Sequence, residues 1–253
     1  MTSELPAHRF YGRDGVPLAW RETGAGRPVV LLHGLMGSGA LLAESALVRA
    51  LAARGRRVIL PDLRGHGESG RPHDPGCYPP DVLADDGLAF IGQLGLGDYD
   101  LGGYSLGGRL VLRLLARGAR PARAFVGGQG LDALDQETSR TGGYRRMLAD
   151  VASGTAPEPG SPMEGLAQWV AQTGIDPRAV SLLLGTMTAT APDALRAVPT
   201  PVLIVAGDRD SRSASAGELA GLLPDARVVL VPGDHETALD APELTAAVLG
   251  FLD

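Results

Sequence analysis

The chain of 253 residues predicts an α/β fold in which a mostly parallel sheet carries helices on both faces. Three observations lead there. Short apolar runs alternate with helical stretches along most of the chain. Those runs are continuously apolar, as strands covered on both faces are, and do not alternate apolar with polar. Between residues 131 and 195 the alternation gives way to helix-like segments alone.

The opening segment RFYGRDGVPLAWRETG reads as a hairpin around Asp14-Gly15, so the sheet begins with antiparallel strands. Strand-length runs follow at 28–33 (PVVLLH), 57–61 (RVILP), 98–103 (DYDLGG), 122–128 (ARAFVGG), 201–206 (PVLIVA) and 226–231 (ARVVLV). Most are bounded by glycine, proline or aspartate. Helices are predicted over 41–55, 79–97, 106–118 and 241–252, with leucine and alanine at three- and four-residue spacing. The excursion holds QETSRTGGYRRMLADV, MEGLAQWVAQTG and DPRAVSLLLGTM, with GTAPEPGSP as a linker, and reads as a lid inserted into one domain. The domain reading is therefore a core of 1–130 and 196–253 with a helical cap over 131–195.

Composition excludes several functions. The formal net charge is −6 and the pI about 5.4, which argues against nucleic acid or an anionic membrane as partner. All basic residues are arginine, so a Schiff-base lysine and a Walker-type phosphate loop are absent. Cys77 is the single cysteine, in the turn-rich HDPGCYPP, which rules out an intrachain disulfide and a cysteine-based metal site. Neither a signal-peptide pattern nor an apolar run of membrane-spanning length occurs, so a cytoplasmic location is expected.

Chemistry concentrates at GGYSLGGR, residues 102–109. Gly103-Tyr104-Ser105-Leu106-Gly107 is a G-x-S-x-G sequence that ends a predicted strand and opens a predicted helix, the context a nucleophile elbow requires. A turn this sharp strains the serine backbone and leaves no room for side chains two positions before and after it. Its hydroxyl then projects at the carboxyl end of the sheet.

A serine hydroxyl attacks at neutral pH only when a histidine takes its proton and a carboxylate orients the imidazole. Two later strands end in the required groups: PVLIVAGDRD in Asp208 and Asp210, and ARVVLVPGDHE in His235. Of the two aspartates, Asp210 is favoured on its position in the turn. His33 and His66 lie in tight turns and are expected to hold loops by hydrogen bonds, whereas His8 and His73 lie in polar sequence. Backbone N–H groups of Leu35 and Leu106 are the candidate oxyanion donors. No metal site is evident.

These residues resemble the α/β-hydrolase superfamily over almost the whole length: HGLMGS at 33–38, DLRGHGES at 62–69, GYSLGG at 103–108, GDRD at 207–210 and GDH with a following PE. The resemblance implies the α/β-hydrolase fold with an eight-stranded core, a helical cap over the pocket, no cofactor, and Ser105, Asp210 and His235 as the triad. GYSLGGR with HGLMGS is also similar to the menaquinone-pathway synthases that eliminate pyruvate to form a succinyl-hydroxycyclohexadiene carboxylate. In that group the arginine matching Arg109 helps bind carboxylates. Arg109 is therefore either a substrate contact or a structural ion-pair partner here. Arg140, Arg145, Arg146 and Arg178 of the cap are either anion contacts or a solvated face.

The expectation is a capped serine hydrolase acting on a small carboxylic ester or related acyl compound, with a small molecule as its partner. Tyr104, Arg109 and Trp169 are candidate substrate-binding residues, and Leu166 and Leu182 to Leu184 are candidates for an apolar pocket wall, although helix packing explains Trp169 and these leucines equally. A lyase or carbon–carbon bond hydrolase using the same groups as a proton relay is the alternative within the fold. A non-catalytic small-molecule receptor is the alternative outside enzymology.

Overall fold

A computed structural model describes residues 5–135 and 141–253, with the side chains of Ala133 and Thr141 left aside. The strands are β1 (His8–Tyr11), β2 (Pro17–Thr23), β3 (Arg27–Leu32), β4 (Arg56–Pro61), β5 (Asp100–Tyr104), β6 (Arg123–Gly127), β7 (Val202–Gly207) and β8 (Ala226–Val231). They form one sheet of eight strands in the order β1-β2-β4-β3-β5-β6-β7-β8. β1 pairs β2 and β2 pairs β4 antiparallel; every other pairing is parallel.

The hairpin forms where the sequence places it. His8 pairs with Trp20 and Tyr11 with Pro17, and Gly15 takes φ +82 in the turn between them. All six residues of β7 are buried, in keeping with its unbroken apolar run.

The helices are α1 (Gly39–Ala43), α2 (Ala46–Ala53), α3 (Val82–Gln93), α4 (Leu106–Ala116), α5 (Thr141–Ala152), α6 (Pro162–Thr173), α7 (Pro177–Leu184), α8 (Pro192–Arg196), α9 (Ala216–Ala220) and α10 (Pro242–Leu252). One sheet face packs Leu32, Leu101 and Val126 against leucines of α3 and α4. The other packs Val29, Leu31, Phe125 and Leu203 against α2 and α10. Helices thus cover both faces, which is what continuous apolar strands need.

Two helix boundaries differ from the sequence expectation, each for a local reason. The stretch 41–55 is two helices, because Ser45 takes an extended backbone and its hydroxyl accepts the N–H of Val48 at 3.2 Å, capping α2. The helix expected from 79 starts at Val82, after Asp81 at φ 65, a backbone held by carboxylate pairs to Arg113 and Arg117 at 2.7 and 3.0 Å. Among the described residues no strand lies between β6 and β7. There α5, α6 and α7 bury Leu148, Leu166, Val180 and Leu184 against one another and against Leu35. No described helix is long and apolar enough to cross a membrane.

Candidate active site

The parallel strands bring the carboxyl ends of β3, β5, β6, β7 and β8 to one edge, and the candidate groups meet there. β5 ends at Tyr104 and α4 starts at Leu106, leaving Ser105 alone to make the turn, at φ 55 and ψ −119. Only Asp81 among the other described non-glycine residues has positive φ. A side chain at 103 would put its Cβ 2.5 Å from the carbonyl carbon of Gly107, and one at 107 would sit 2.0 Å from the Leu32 oxygen. Both glycines of the motif are thus required sterically. The Ser105 N–H donates to the Gly127 carbonyl at 2.9 Å, fixing the turn to the next strand.

His235 lies in the loop after β8, with Nε2 2.8 Å from Ser105 Oγ and Nδ1 2.8 Å from Asp210 Oδ2. An ionised Asp210 places the ring proton on Nδ1, so Nε2 is the acceptor that faces the hydroxyl. The other Asp210 oxygen accepts the backbone N–H of Arg212 at 2.8 Å. Asp208 points elsewhere: it accepts the Gly233 N–H at 2.9 Å and is half exposed. Burial holds the His235 pKa below the ordinary 6.5, the Asp210 hydrogen bond opposes this, and the nearby Arg212 charge adds to the lowering.

Leu35 and Leu106, the candidate oxyanion donors, both line the cavity beside Ser105. Leu106 opens α4, so its N–H lacks an intrahelical acceptor. The Leu35 N–H meets no backbone acceptor among the described residues, while its carbonyl is 2.8 Å from His66 Nε2. His33 is 2.7 Å from the Gly34 carbonyl through Nδ1 and accepts the Leu63 N–H at 3.0 Å. The two buried histidines thus brace the loop that carries Leu35.

Serine and imidazole open into a cavity of about 610 Å³, within the range of small-molecule sites. The candidate binding residues separate here. The Tyr104 ring lines the cavity, but its hydroxyl donates to the His235 carbonyl at 2.8 Å, so it anchors the histidine loop. Arg109 is buried in the wall, where desolvation lowers its pKa and Asp135 opposes the lowering. Trp169 does not line the cavity. Its side chain packs in the helical layer with Leu148, Leu166, Val180 and Leu184, and no residue of α6 lines the cavity. Of the leucines proposed for a pocket wall only Leu184 reaches it. Arg145, Arg146 and Arg178 are exposed and away from the cavity; Arg140 lies outside the described residues.

Three contributors escaped sequence reasoning. Gln129 Nε2 donates to the Ser105 carbonyl. Arg212 reaches the Tyr144 hydroxyl at 3.1 Å and lies over its ring, and no carboxylate pairs with it among the described residues. Tyr144 of α5 also lines the cavity. Their signals were weak: a glutamine after a glycine pair, and an arginine in a chain whose every basic residue is arginine. No cluster of three or more histidine, cysteine or acidic side chains suited to a metal occurs among the described residues.

Comparison with known proteins bears on the fold. A family model described as the alpha/beta hydrolase fold matches residues 27–128. No curated protein matches. Among solved structures, a hydrolase from Pseudomonas aeruginosa is 26% identical, covering 97% of this chain and 98% of its own, with a TM-score of 0.75. An esterase from Rhodococcus sp. is 25% identical over 97% and 98%, with a TM-score of 0.73. A bromoperoxidase from Bacillus anthracis is 26% identical over 98% and 99%, also at 0.73. The eight-stranded sheet has the α/β-hydrolase fold, and the family model and end-to-end structural likeness support the α/β-hydrolase superfamily.

Proposed function

We propose that the protein is a carboxylesterase-like serine hydrolase that cleaves a small carboxylic ester or related acyl substrate through an acyl-enzyme. The observation that carries this is the unbroken hydrogen-bonded chain from Asp210 through His235 to Ser105, 2.8 Å at each link, opening into a cavity. In this reading Ser105, His235 and Asp210 are the catalytic triad.

Ser105 Oγ attacks the ester carbonyl while its proton passes to His235 Nε2. The oxyanion forms beside the N–H groups of Leu35 and Leu106. His235 then protonates the leaving alcohol, and the acyl group stays on Ser105. A water molecule, deprotonated by the same nitrogen, repeats the attack and releases the acid. The sequence of steps needs no cofactor. Residues 131–195 act as the cap, inserted between core segments 1–130 and 196–253. Tyr144 and Leu184 in the cavity wall support that role. The partner is a small molecule, not nucleic acid or membrane, and the setting the cytoplasm.

Replacing Ser105 by alanine tests the reading, with an expected loss of p-nitrophenyl acetate turnover of at least about 10³-fold. Full turnover in that variant would overturn it. Mass spectrometry of wild-type protein with a slow ester should trap an acyl group on Ser105. Serine-dependent turnover with no such adduct would favour the proton-relay reading, that of a lyase or carbon–carbon bond hydrolase. Tight ligand binding with no serine-dependent turnover would favour a receptor.

A further inference from the structure

The cavity is not confined to the space beneath α5 and α7. It also descends on the opposite side, along the sheet face that packs on α2 and α10. Leu31 of β3, Phe125 of β6, Leu47 of α2 and Leu244 of α10 all line it, although their exposures are only 2%, 3%, 4% and 1%. Residues this enclosed border a deep wing, not a surface groove. Leu42 at the end of α1 and Leu239, just before α10, form its upper walls.

Two features keep the wing open. A side chain at 102 would place its Cβ 2.0 Å from Phe125 Cε1, so the absence of one lets the phenyl ring lie down against β5. The break between α1 and α2 at Ser45 turns the chain at the rim, where Glu44 and Ser45 line the cavity.

None of the six wing side chains carries a polar atom, so a group resting on them must be apolar as well. Elsewhere the lining is polar, with Arg109, Gln129, Asp132, Tyr144 and Arg212. Met36 and Leu41, which also line the cavity, are 38% and 58% exposed, two of the few large apolar side chains left in solvent. Apolar surface therefore runs from the buried wing out to the rim.

We infer that the wing holds an aliphatic arm of the substrate, so the favoured substrates are esters with a medium-length alkyl chain on one side of the carbonyl and a polar group on the other. This rests on the ester-hydrolase reading and deepens it. The test is kcat/KM across two series, p-nitrophenyl esters from acetyl to decanoyl and acetates of alcohols from ethanol to decanol. At least one series should rise about threefold per added methylene up to six carbons. Leu239→Phe and Leu42→Phe, on opposite walls of the wing, should each cut the six-carbon to two-carbon ratio at least tenfold; thermal unfolding confirms that each variant is folded.

Serine-dependent turnover that stays flat or falls with length in both series, or an unchanged ratio in both folded variants, would overturn the inference alone. Failure of the ester-hydrolase reading would look different: no ester turned over by wild type in a Ser105-dependent way. The wing is then judged by calorimetry with decanoate. Binding weakened at least tenfold by Leu239→Phe supports it, and no binding overturns it.

Discussion

The Tyr104 hydroxyl donates a hydrogen bond of 2.8 Å to the backbone carbonyl of His235, and the two rings lie 5.4 Å apart. The residue next to the nucleophile thereby fixes the loop that carries the proposed base. Gly128 makes room for this: a Cβ there would sit 2.9 Å from Tyr104 Cζ and 3.0 Å from His235 Cε1. Tyr104→Phe removes only the hydroxyl. It should lower kcat about tenfold through a misplaced imidazole, leave KM near its wild-type value, and cost about 1 kcal/mol of stability. Steady-state kinetics and thermal unfolding check this; an unchanged kcat would remove the tyrosine from the mechanism.

Asp210 and Asp208 are two residues apart yet differ in what they touch. Asp210→Asn should present an amide to His235 Nδ1 and favour the wrong tautomer, reducing kcat by about 10⁴-fold with the fold intact. Asp208→Asn keeps an acceptor for the Gly233 N–H and should change kcat less than about threefold. Comparable losses in the two variants would contradict the assignment of the acid.

The acid limb of the pH–rate profile should report His235. A base must be neutral to accept a proton, so activity falls as pH drops through its pKa. Burial and the Arg212 charge hold that pKa below 6.5, so the limb should lie below 6.5. Removing the positive charge makes the imidazolium less unfavourable and raises the pKa. Arg212→Gln should therefore move the limb of kcat/KM to higher pH, a shift that lost packing alone would not cause.

What the sequence revealed and what it hid follow one physical rule. The convergence of Ser105, Asp210 and His235 was readable because in a parallel sheet every strand that ends in a polar residue delivers it to the same edge. Glycine spacing around Ser105 was readable because close backbone approach leaves its mark on sequence. The cavity wing was not. Leu31, Leu47, Phe125 and Leu244 have the pattern of core residues and pack as such, and only the structure shows that they also border the cavity. Trp169 failed in the opposite sense, since a large aromatic among helices reads alike whether it packs on neighbours or faces a ligand. The break at Ser45 was hidden by good helix formers on both sides of one capping hydroxyl.

His33 and His66 lie with ring centroids 5.1 Å apart beneath the Leu35 loop, and burial pushes both pKa values down to about 4. Their unfolded value is near 6.5, so at pH 7 both states are neutral and nothing is lost. Between 6.5 and 4 the unfolded chain binds protons that the folded chain refuses, and stability falls as pH falls. At pH 5 the loss is about 2 kcal/mol per histidine. His66→Gln retains a donor for the Leu35 carbonyl but cannot titrate. Its Tm should therefore decline less than that of wild type between pH 7 and pH 5, the comparison cancelling every other ionisable group. Parallel declines would mean that His66 takes up its proton over the same pH range folded as unfolded, its imidazolium donating to the Arg64 and Leu35 carbonyls, which lie 3.1 and 2.8 Å from its two ring nitrogens.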